Sequence, residues 1–108
     1  MEVLQYLNEA VTPYHAVDAG IRMLKEAGFE EQKLEEPIYP EFGKKYFISV
    51  YGTGLIAYTV GTGFTPGDEV RLAAAHTDAP CLRIKPRAEL LAGEYKRLDV
   101  EVYGGAIL

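Results

Sequence analysis

Two short runs of β-branched and aromatic residues, separated by a glycine turn, limit what this chain can fold into. The runs are KKYFISVY (residues 44–51) and LIAYTVG (residues 55–61), and Gly52-Thr53-Gly54 lies between them. Branched and aromatic side chains favour strands, and a short link rich in glycine favours an antiparallel connection. The sequence therefore predicts a β-hairpin near the middle of the chain.

Helical periodicity precedes this hairpin. Two apolar stripes have helical spacing: Val3, Leu4, Leu7 and Val11, then Val17, Ile21 and Leu24. Thr12 can accept a hydrogen bond from an early backbone N–H of the second helix, and Pro13 suits the first helical position. Gly28 can adopt positive φ just past the helix end. The sequence thus predicts two N-terminal helices.

The remaining residues predict a connection and three more strands. Residues 30–43 hold five acidic residues, two prolines and one glycine, which favours a surface connection with a short extended piece near Ile38-Tyr39. EVRLAAAH (residues 69–76) predicts a central, buried third strand, since its residues are mostly small and apolar. The order of two helices followed by strands indicates an α/β fold, with the N-terminal helices followed by a mixed β-sheet.

The last third of the chain predicts the fourth and fifth strands. CLRIKP (residues 81–86) is a short fourth strand, and YKRLDVEVY (residues 95–103) is a fifth with Leu98, Val100 and Val102 on one face. The pair Gly104-Gly105 lacks the spacing of a phosphate-binding loop and predicts a turn or a close backbone approach.

Composition narrows the classes of protein. The chain has 108 residues, which suits a single domain, and a net charge of −5, which argues against nucleic-acid binding and an anionic membrane surface. No apolar run approaches the roughly 20 residues that span a bilayer. The single Cys81 cannot form an internal disulfide, so we expect a cytoplasmic protein. Because the chain ends on the apolar residues Ala106-Ile107-Leu108, we expect it to have been cut from a longer protein or to belong to a gene fragment.

His76-Thr77-Asp78 is the most informative short motif. Alternate side chains of an extended backbone share one side, so His76 and Asp78 are predicted to lie together at the carboxyl end of the third strand. That edge is where open α/β sheets place ligands. A neutral imidazole binds Zn²⁺, and a nearby carboxylate can hold its other ring nitrogen or act on a metal-bound water. The alternative is that the motif is only a polar end to a buried strand.

Other polar residues favour structural roles. His15 lies near a helix start, where an imidazolium is disfavoured, so we expect it to be neutral and hydrogen-bonded. Cys81 lacks the two further ligands that a structural zinc site with His76 would need, and it is predicted to be a small buried residue. Arg83 and Lys85 share one strand face, which is either solvated or a cationic rim for an acidic substrate group.

A family resemblance covers nearly all of the chain. TPYHAV, GKKYFISVYGTGLIAYTVG, AAHTDAPCLRIKP and VEVYGGAIL occur in the order and spacing seen at the start of the aspartyl aminopeptidase and aminopeptidase I family of cocatalytic zinc peptidases, which this chain resembles. Ala79 departs from the family, which usually has Ser there. That change removes a hydroxyl group beside the site but no metal ligand.

The resemblance implies roles for two residues and a larger context. It implies that His76 is a zinc ligand and that Asp78 is the catalytic Asp that orients it, within a zinc-peptidase-like catalytic domain that holds two Zn²⁺ ions and hydrolyses N-terminal peptide bonds. The other metal ligands and the Glu general base lie far downstream in the family. Residues from about 95 to 108 resemble the approach to an inserted dimerisation domain.

These inferences give one leading hypothesis and two alternatives. The first is the N-terminal part of a zinc metalloaminopeptidase that acts on peptides and that is inactive as this chain alone. The second is a non-catalytic truncated homologue that binds copies of itself or another partner. The third is a binding domain that uses Arg83 and Lys85, which the acidic net charge disfavours. Because uncovered apolar sheet is costly in water, we expect copies of the chain to associate.

Overall fold

The computed structural model describes residues 2–105. Its elements, in chain order, are α1 (Val3–Glu9), α2 (Pro13–Glu26), β1 (Glu30–Glu31), β2 (Lys45–Val50), β3 (Gly54–Thr59), β4 (Cys81–Ala92) and β5 (Tyr95–Tyr103). The chain divides between Asp78 and Ala79 into two compact units. In the first unit β1 pairs parallel to β2 and β2 pairs antiparallel to β3. The predicted fold class, helices followed by a mixed sheet, is confirmed.

Both predicted helices form, and the signals at the ends of α2 are confirmed. The hydroxyl oxygen of Thr12 accepts a hydrogen bond from the backbone N–H of His15, and Pro13 occupies the first helical position. At the other end Gly28 has φ of 80°, and the N–H of Phe29 donates to the carbonyl of Leu24. This is the Schellman arrangement, which satisfies the last carbonyls of the helix. No helix within residues 2–105 has the length and apolarity needed to cross a membrane.

The predicted central hairpin is confirmed as β2 and β3. Val50 pairs with Gly54, and the N–H of Thr53 donates to the carbonyl of Val50 at 3.2 Å. Tyr51 and Gly52 have φ of 51° and 71°. Positive φ at both positions gives the turn a twist that matches the two strands. The turn therefore presents the carbonyl of Thr53 at a fixed place.

The core of the first unit lies between α2 and the hairpin. Val17 and Ala19 of α2 and Phe47 of β2 are almost fully buried. Gly20 allows close packing, since a Cβ atom there would lie 2.8 Å from Cδ2 of Leu55 on β3. Burial of Val17 and Phe47 contributes roughly 2 to 3 kcal/mol each. This packing fixes α2 against the hairpin.

The connection of residues 32–43 covers the other face of the hairpin. Tyr46 and Tyr58 are register partners with ring centroids 5.4 Å apart. The hydroxyl of Tyr46 accepts from the N–H of Glu41, and that of Tyr58 donates to Gln32. Burial beside this connection raises the pKa of Tyr58. The connection is therefore part of the packed structure.

The extended piece expected near Ile38-Tyr39 is wrong. These residues are not in a strand, and the short strand of this region is β1, which pairs with Tyr46 and Phe47. Pro37 and Pro40 flank Ile38-Tyr39 and lack the N–H groups that a ladder needs.

The expected third strand is also wrong. Residues 69–76 are in no strand and are exposed, including Val70 at 79% and Leu72 at 88%. The apolar pattern is that of a buried strand, but a strand needs a hydrogen-bonded neighbour. Open space of about 910 Å³ separates residues 70–73 from β3, so no ladder joins them. The apolar pattern alone therefore does not make residues 69–76 a strand in this structure.

The second unit is a long hairpin of β4 and β5. The predicted fifth strand has the bounds of β5, whereas the fourth strand continues past Pro86 to Ala92. Pro86 lacks a ladder donor, and the pairing shifts register between Ile84 and Glu89, with Arg87 at φ of 57°. The sheet pairs Leu82 and Ile84 with Val102 and Val100, so these side chains share one face as predicted for β5.

Gly104 ends this hairpin by approaching Pro80. A Cβ atom at residue 104 would lie 2.9 Å from Cα of Pro80, and φ of Gly104 is 95°. At Gly105 an added Cβ atom meets nothing within 4 Å. The predicted close approach is thus confirmed for the first glycine of the pair.

We predict that Gly104→Ala destabilises the β4–β5 hairpin by on the order of 1–3 kcal/mol, because both φ and the contact with Pro80 exclude a side chain. Hydrogen exchange of the ladder amides in the whole chain measures this. Gly105→Ala is the matched control and should leave exchange unchanged. Equal exchange rates in the two variants would contradict the prediction.

Candidate metal centre

The segment His76-Thr77-Asp78 is held to the central hairpin by its middle residue. The hydroxyl of Thr77 donates to the carbonyl of Thr53 at 2.8 Å, and Thr77 is partly buried. The tether leads from the β2–β3 turn directly to the residue between the histidine and the aspartate. The packing of α2 against the hairpin thus fixes the β2–β3 turn to which the motif is hydrogen-bonded.

His76 and Asp78 are brought together, as the motif predicted. Nδ1 of His76 lies 2.6 Å from the backbone carbonyl oxygen of Asp78 and 3.2 Å from its Oδ1. The predicted reason was alternation along a strand, which is wrong because residues 69–76 form none. The two residues meet through this local hydrogen bond, with Thr77 anchored between them.

This contact assigns the tautomer of His76. A carbonyl oxygen can only accept, so the proton of the neutral ring lies on Nδ1. The lone pair is then on Nε2, which is the nitrogen a metal ion would bind. A histidine that binds a metal through one ring nitrogen usually donates the N–H of the other nitrogen to a carbonyl or carboxylate oxygen. This hydrogen bond fixes the orientation of the ring and raises its basicity.

The imidazole is open to solvent. The His76 side chain is 78% exposed, whereas the Asp78 side chain is 31% exposed. The ring is therefore accessible to an incoming ion, while the aspartate is more sheltered. The alternative of a polar end to a buried strand does not fit, because the ring is exposed and no strand leads into it.

The donor set fits one bond to zinc and does not make a complete site. Within residues 2–105 no group of three or more His, Cys, Asp or Glu side chains could hold a metal ion. A catalytic zinc site needs at least three protein ligands. The described residues thus offer one imidazole with its orienting partner, and further ligands would have to be added to them.

The other candidate residues lie elsewhere. His15 is in the cap of α2, where its Nδ1 lies 2.8 Å from the Thr12 hydroxyl, as expected for a structural residue. Cys81, expected to be buried, is exposed at the start of β4. Its strand belongs to a two-stranded sheet, in which a residue near the end gains little cover. The expectation rested on residue type alone.

Arg83 and Lys85 have partners across the β4–β5 hairpin. The guanidinium carbon of Arg83 lies 3.4 Å from the ring centroid of Tyr103, and Nζ of Lys85 lies 3.1 Å from Oδ1 of Asp99. Their charges are thus engaged within the hairpin, which argues against a cationic rim for an acidic substrate.

Thr77 is the residue of this site that sequence reasoning missed. The same alternation that placed His76 and Asp78 on one side would have placed Thr77 on the other, toward the protein. The signal was therefore present, but its partner is a backbone carbonyl, and a sequence does not show where a carbonyl lies.

Comparisons with known proteins extend over nearly the whole chain. The sequence profile described as aminopeptidase I zinc metalloprotease (M18) matches residues 6–108. A probable M18 family aminopeptidase 2 from Ectopseudomonas mendocina is 39% identical over 106 residues, covering 98% of this chain and 25% of its own length. The aspartyl aminopeptidase of Caenorhabditis elegans is 35% identical over 113 residues, covering 98% of this chain and 23% of its own.

Two solved structures agree with the fold. A chain in the cryo-EM structure of the Ape4 and Nbr1 complex superposes with a TM-score of 0.82 at 34% identity, covering 96% of this chain and 20% of that chain. Chaetomium thermophilum mApe1 gives 0.79 at 33% identity, with 97% and 24% covered. The chain spans about a quarter of the length of the curated relatives it matches.

The resemblance inferred from short motifs is thus confirmed by matches that cover almost every residue. Zinc is the metal named for the family, and the curated relatives are named as aminopeptidases. This chain belongs to the aminopeptidase I family of zinc metalloproteases, the M18 family.

Proposed function

We propose that this chain supplies the N-terminal part of a zinc aminopeptidase catalytic domain. It contributes one ligand of the metal site and the residue that orients this ligand. His76 is the zinc ligand and Asp78 is the residue that orients it. The observation that carries the proposal is the 2.6 Å contact of His76 Nδ1 with the Asp78 carbonyl, which leaves Nε2 as the metal-binding nitrogen. Family membership supports zinc as the metal.

The proposed role of Asp78 and Thr77 is to hold the His76 ring in the orientation that zinc binding needs. Zinc, when bound, supplies a Lewis acid that polarises a carbonyl group. The Nδ1–H of His76 donates to Asp78, so the ring cannot rotate away or change tautomer without losing that bond. The carboxylate of Asp78 lies 3.2 Å from the same nitrogen. Its negative charge makes Nε2 of the imidazole a stronger electron-pair donor toward a metal ion. Thr77 holds both residues to the hairpin.

The complete enzyme would release N-terminal residues from peptides. We propose two zinc ions for the complete site, of which this chain alone would hold one incompletely. The aspartyl aminopeptidase among the relatives supports acidic N-terminal residues as one candidate preference. We also propose that residues from about 95 onward approach an inserted dimerisation domain. Ala106-Ile107-Leu108 at the end of that stretch lie outside the described residues.

We predict weak one-to-one zinc binding, because the chain offers a single imidazole donor, and we expect this binding to be lost in His76→Ala. Isothermal titration with Zn²⁺ measures this. Asp78→Asn keeps the backbone carbonyl but removes the carboxylate charge, and it should weaken binding by about 10- to 100-fold.

His15→Ala is the matched control for that titration, since it removes the other histidine of the chain. It should leave the affinity unchanged. Zinc binding that survives His76→Ala and disappears in His15→Ala would overturn the assignment of the ligand.

We predict no measurable aminopeptidase turnover by the purified chain, because three protein ligands and a general base are needed and the described residues hold too few. The assay uses a panel of aminoacyl substrates, acidic ones included, with excess Zn²⁺. Turnover that copurifies with the chain and is abolished by His76→Ala would contradict the proposal.

The second candidate function is a non-catalytic module that associates with copies of itself. The observation that favours it is apolar exposure: Leu82, Ile84, Leu98 and Val102 are each more than half exposed on one face of the β4–β5 hairpin. Uncovered apolar surface costs roughly 25 cal/mol per Å². We also propose a cytoplasmic location, supported by the single, exposed Cys81.

We predict that the chain elutes as a dimer or larger species in gel filtration with light scattering, more so at higher concentration. Val102→Thr with Leu82→Thr should shift it toward the monomer, because the apolar area is lost and β propensity is kept. A monomer at millimolar concentration would rule out self-association.

A further inference from the structure

Tyr14 lies at the start of α2 but takes no part in the cap of that helix. Thr12, Pro13 and His15 form the cap, whereas the side chain of Tyr14 is 61% exposed. Its hydroxyl group has no hydrogen-bond partner among residues 2–105. The aromatic ring is therefore the part of this side chain that can act on the rest of the structure.

The ring of Tyr14 lies against the turn between β2 and β3. A Cβ atom added to Gly52 in this turn would lie 3.4 Å from Cδ1 and 3.5 Å from Cε1 of Tyr14. These are ordinary van der Waals distances. The edge of the ring therefore covers the side of the turn that glycine leaves open by having no side chain.

This turn carries backbone strain and gains from an external contact. Tyr51 has φ of 51°, which costs free energy for a residue other than glycine. The side chain of Tyr51 is largely exposed, so it packs little against the protein. Because the ring of Tyr14 packs on the next residue, Gly52, it stabilises the turn in this strained conformation.

The turn is connected to the proposed zinc ligand through one carbonyl group. This carbonyl belongs to Thr53, the residue after Gly52, and it accepts the hydrogen bond from the hydroxyl of Thr77 at 2.8 Å. Thr77 directly follows His76 in the chain. A shift of the turn would move the carbonyl, and a hydrogen bond weakens as its distance and angle depart from their ideal values. The packing of the Tyr14 ring thus bears on the orientation of His76.

We propose that Tyr14 is a positioning residue for His76, acting through the β2–β3 turn and Thr77. The inference rests on the proposed function for the role of His76 as zinc ligand, and it adds a residue of α2 to the support of that ligand. The ring holds the turn, and the turn holds the carbonyl of Thr53. That carbonyl holds Thr77 in the place from which His76 and Asp78 meet. In this role Tyr14 acts on the orientation of the imidazole and not on reacting atoms.

Two substitutions of Tyr14 in the whole chain test this role without metal. Tyr14→Ala removes the ring and keeps a residue that favours a helix, whereas Tyr14→Phe keeps the ring and removes only the hydroxyl group. The readout is the nitrogen NMR spectrum of the His76 ring at a pH of about 8, at which imidazole is neutral. We expect the ratio of the Nδ1–H form to the Nε2–H form to fall by about three- to tenfold in Tyr14→Ala. In Tyr14→Phe the ratio should equal that of the parent chain.

Zinc affinity gives a second readout. Isothermal titration with Zn²⁺ alone should give a dissociation constant about three- to tenfold higher for Tyr14→Ala than for the parent chain. The reason is that a less ordered imidazole loses more rotamer entropy when it binds the ion. Tyr14→Phe should bind zinc as the parent does.

A double-mutant cycle tests whether Tyr14 acts through Thr77. Thr77→Val removes the hydroxyl group and should itself lower the tautomer ratio and the zinc affinity, whereas Thr77→Ser keeps the hydroxyl and should retain both. Tyr14→Ala added to Thr77→Val should cause no further loss, because the hydrogen bond that transmits its effect is already absent. Hydrogen exchange of the β2–β3 ladder amides checks that each variant is folded.

Three results would overturn the proposal. The first is a tautomer ratio in Tyr14→Ala equal to that of the parent chain. The second is an equal loss in Tyr14→Phe and Tyr14→Ala, and the third is a Tyr14→Ala effect of the same size with and without the Thr77 hydroxyl. Each of these leaves zinc binding by His76 in place, since His76→Ala tests that separately. A parent chain that binds no zinc would instead refute the proposed function, and the metal-free tautomer ratio would still decide whether Tyr14 positions the ring.

Discussion

The packing of α2 against the β2–β3 hairpin is the contact from which the candidate site takes its position. Val17 and Ala19 meet the face of the hairpin that carries Phe47, and Gly20 admits Leu55. This contact fixes the hairpin and with it the carbonyl of Thr53 in the turn. A side chain that hydrogen-bonds to that carbonyl is then fixed as well, at no cost beyond its own rotamer.

Thr77 is that side chain, and it links fold to chemistry. Because Thr77 is anchored, His76 and Asp78 can meet through a short local hydrogen bond instead of through a strand. The result is an oriented, exposed imidazole with the ring proton on Nδ1 and the lone pair on Nε2. Within residues 2–105 no group of three or more His, Cys, Asp or Glu side chains could hold a metal ion, so the proposed zinc site needs further ligands.

The exposed segment of residues 69–75 shows what a strand requires besides an apolar sequence. Backbone N–H and C=O groups in a sheet need hydrogen-bonding partners, and residues 69–75 belong to no ladder within the described part of the chain. Apolar side chains such as Leu72 therefore lie exposed to water. A sequence typical of a buried strand thus stays outside the sheet of the first unit.

Local signals in the sequence were sufficient for the elements whose partners are close along the chain. The cap at Thr12, the stop at Gly28 and the turn at Gly52 depend on neighbours a few residues away, and all three are confirmed. The bounds of β5 could likewise be predicted, because its partner β4 immediately precedes it and only a short turn separates the two strands. The motif that indicated the family also predicted that His76 and Asp78 lie close together.

What the sequence by itself determined is therefore the helices, the central hairpin, the bounds of β5, the family and the pairing of His76 with Asp78. Only the tertiary structure decided that residues 69–76 form no strand, that Cys81 is exposed and that Thr77 holds the motif. The physical reason is that a side-chain pattern records which face a residue prefers, whereas a strand or a tether exists only where a hydrogen-bonding partner lies within reach.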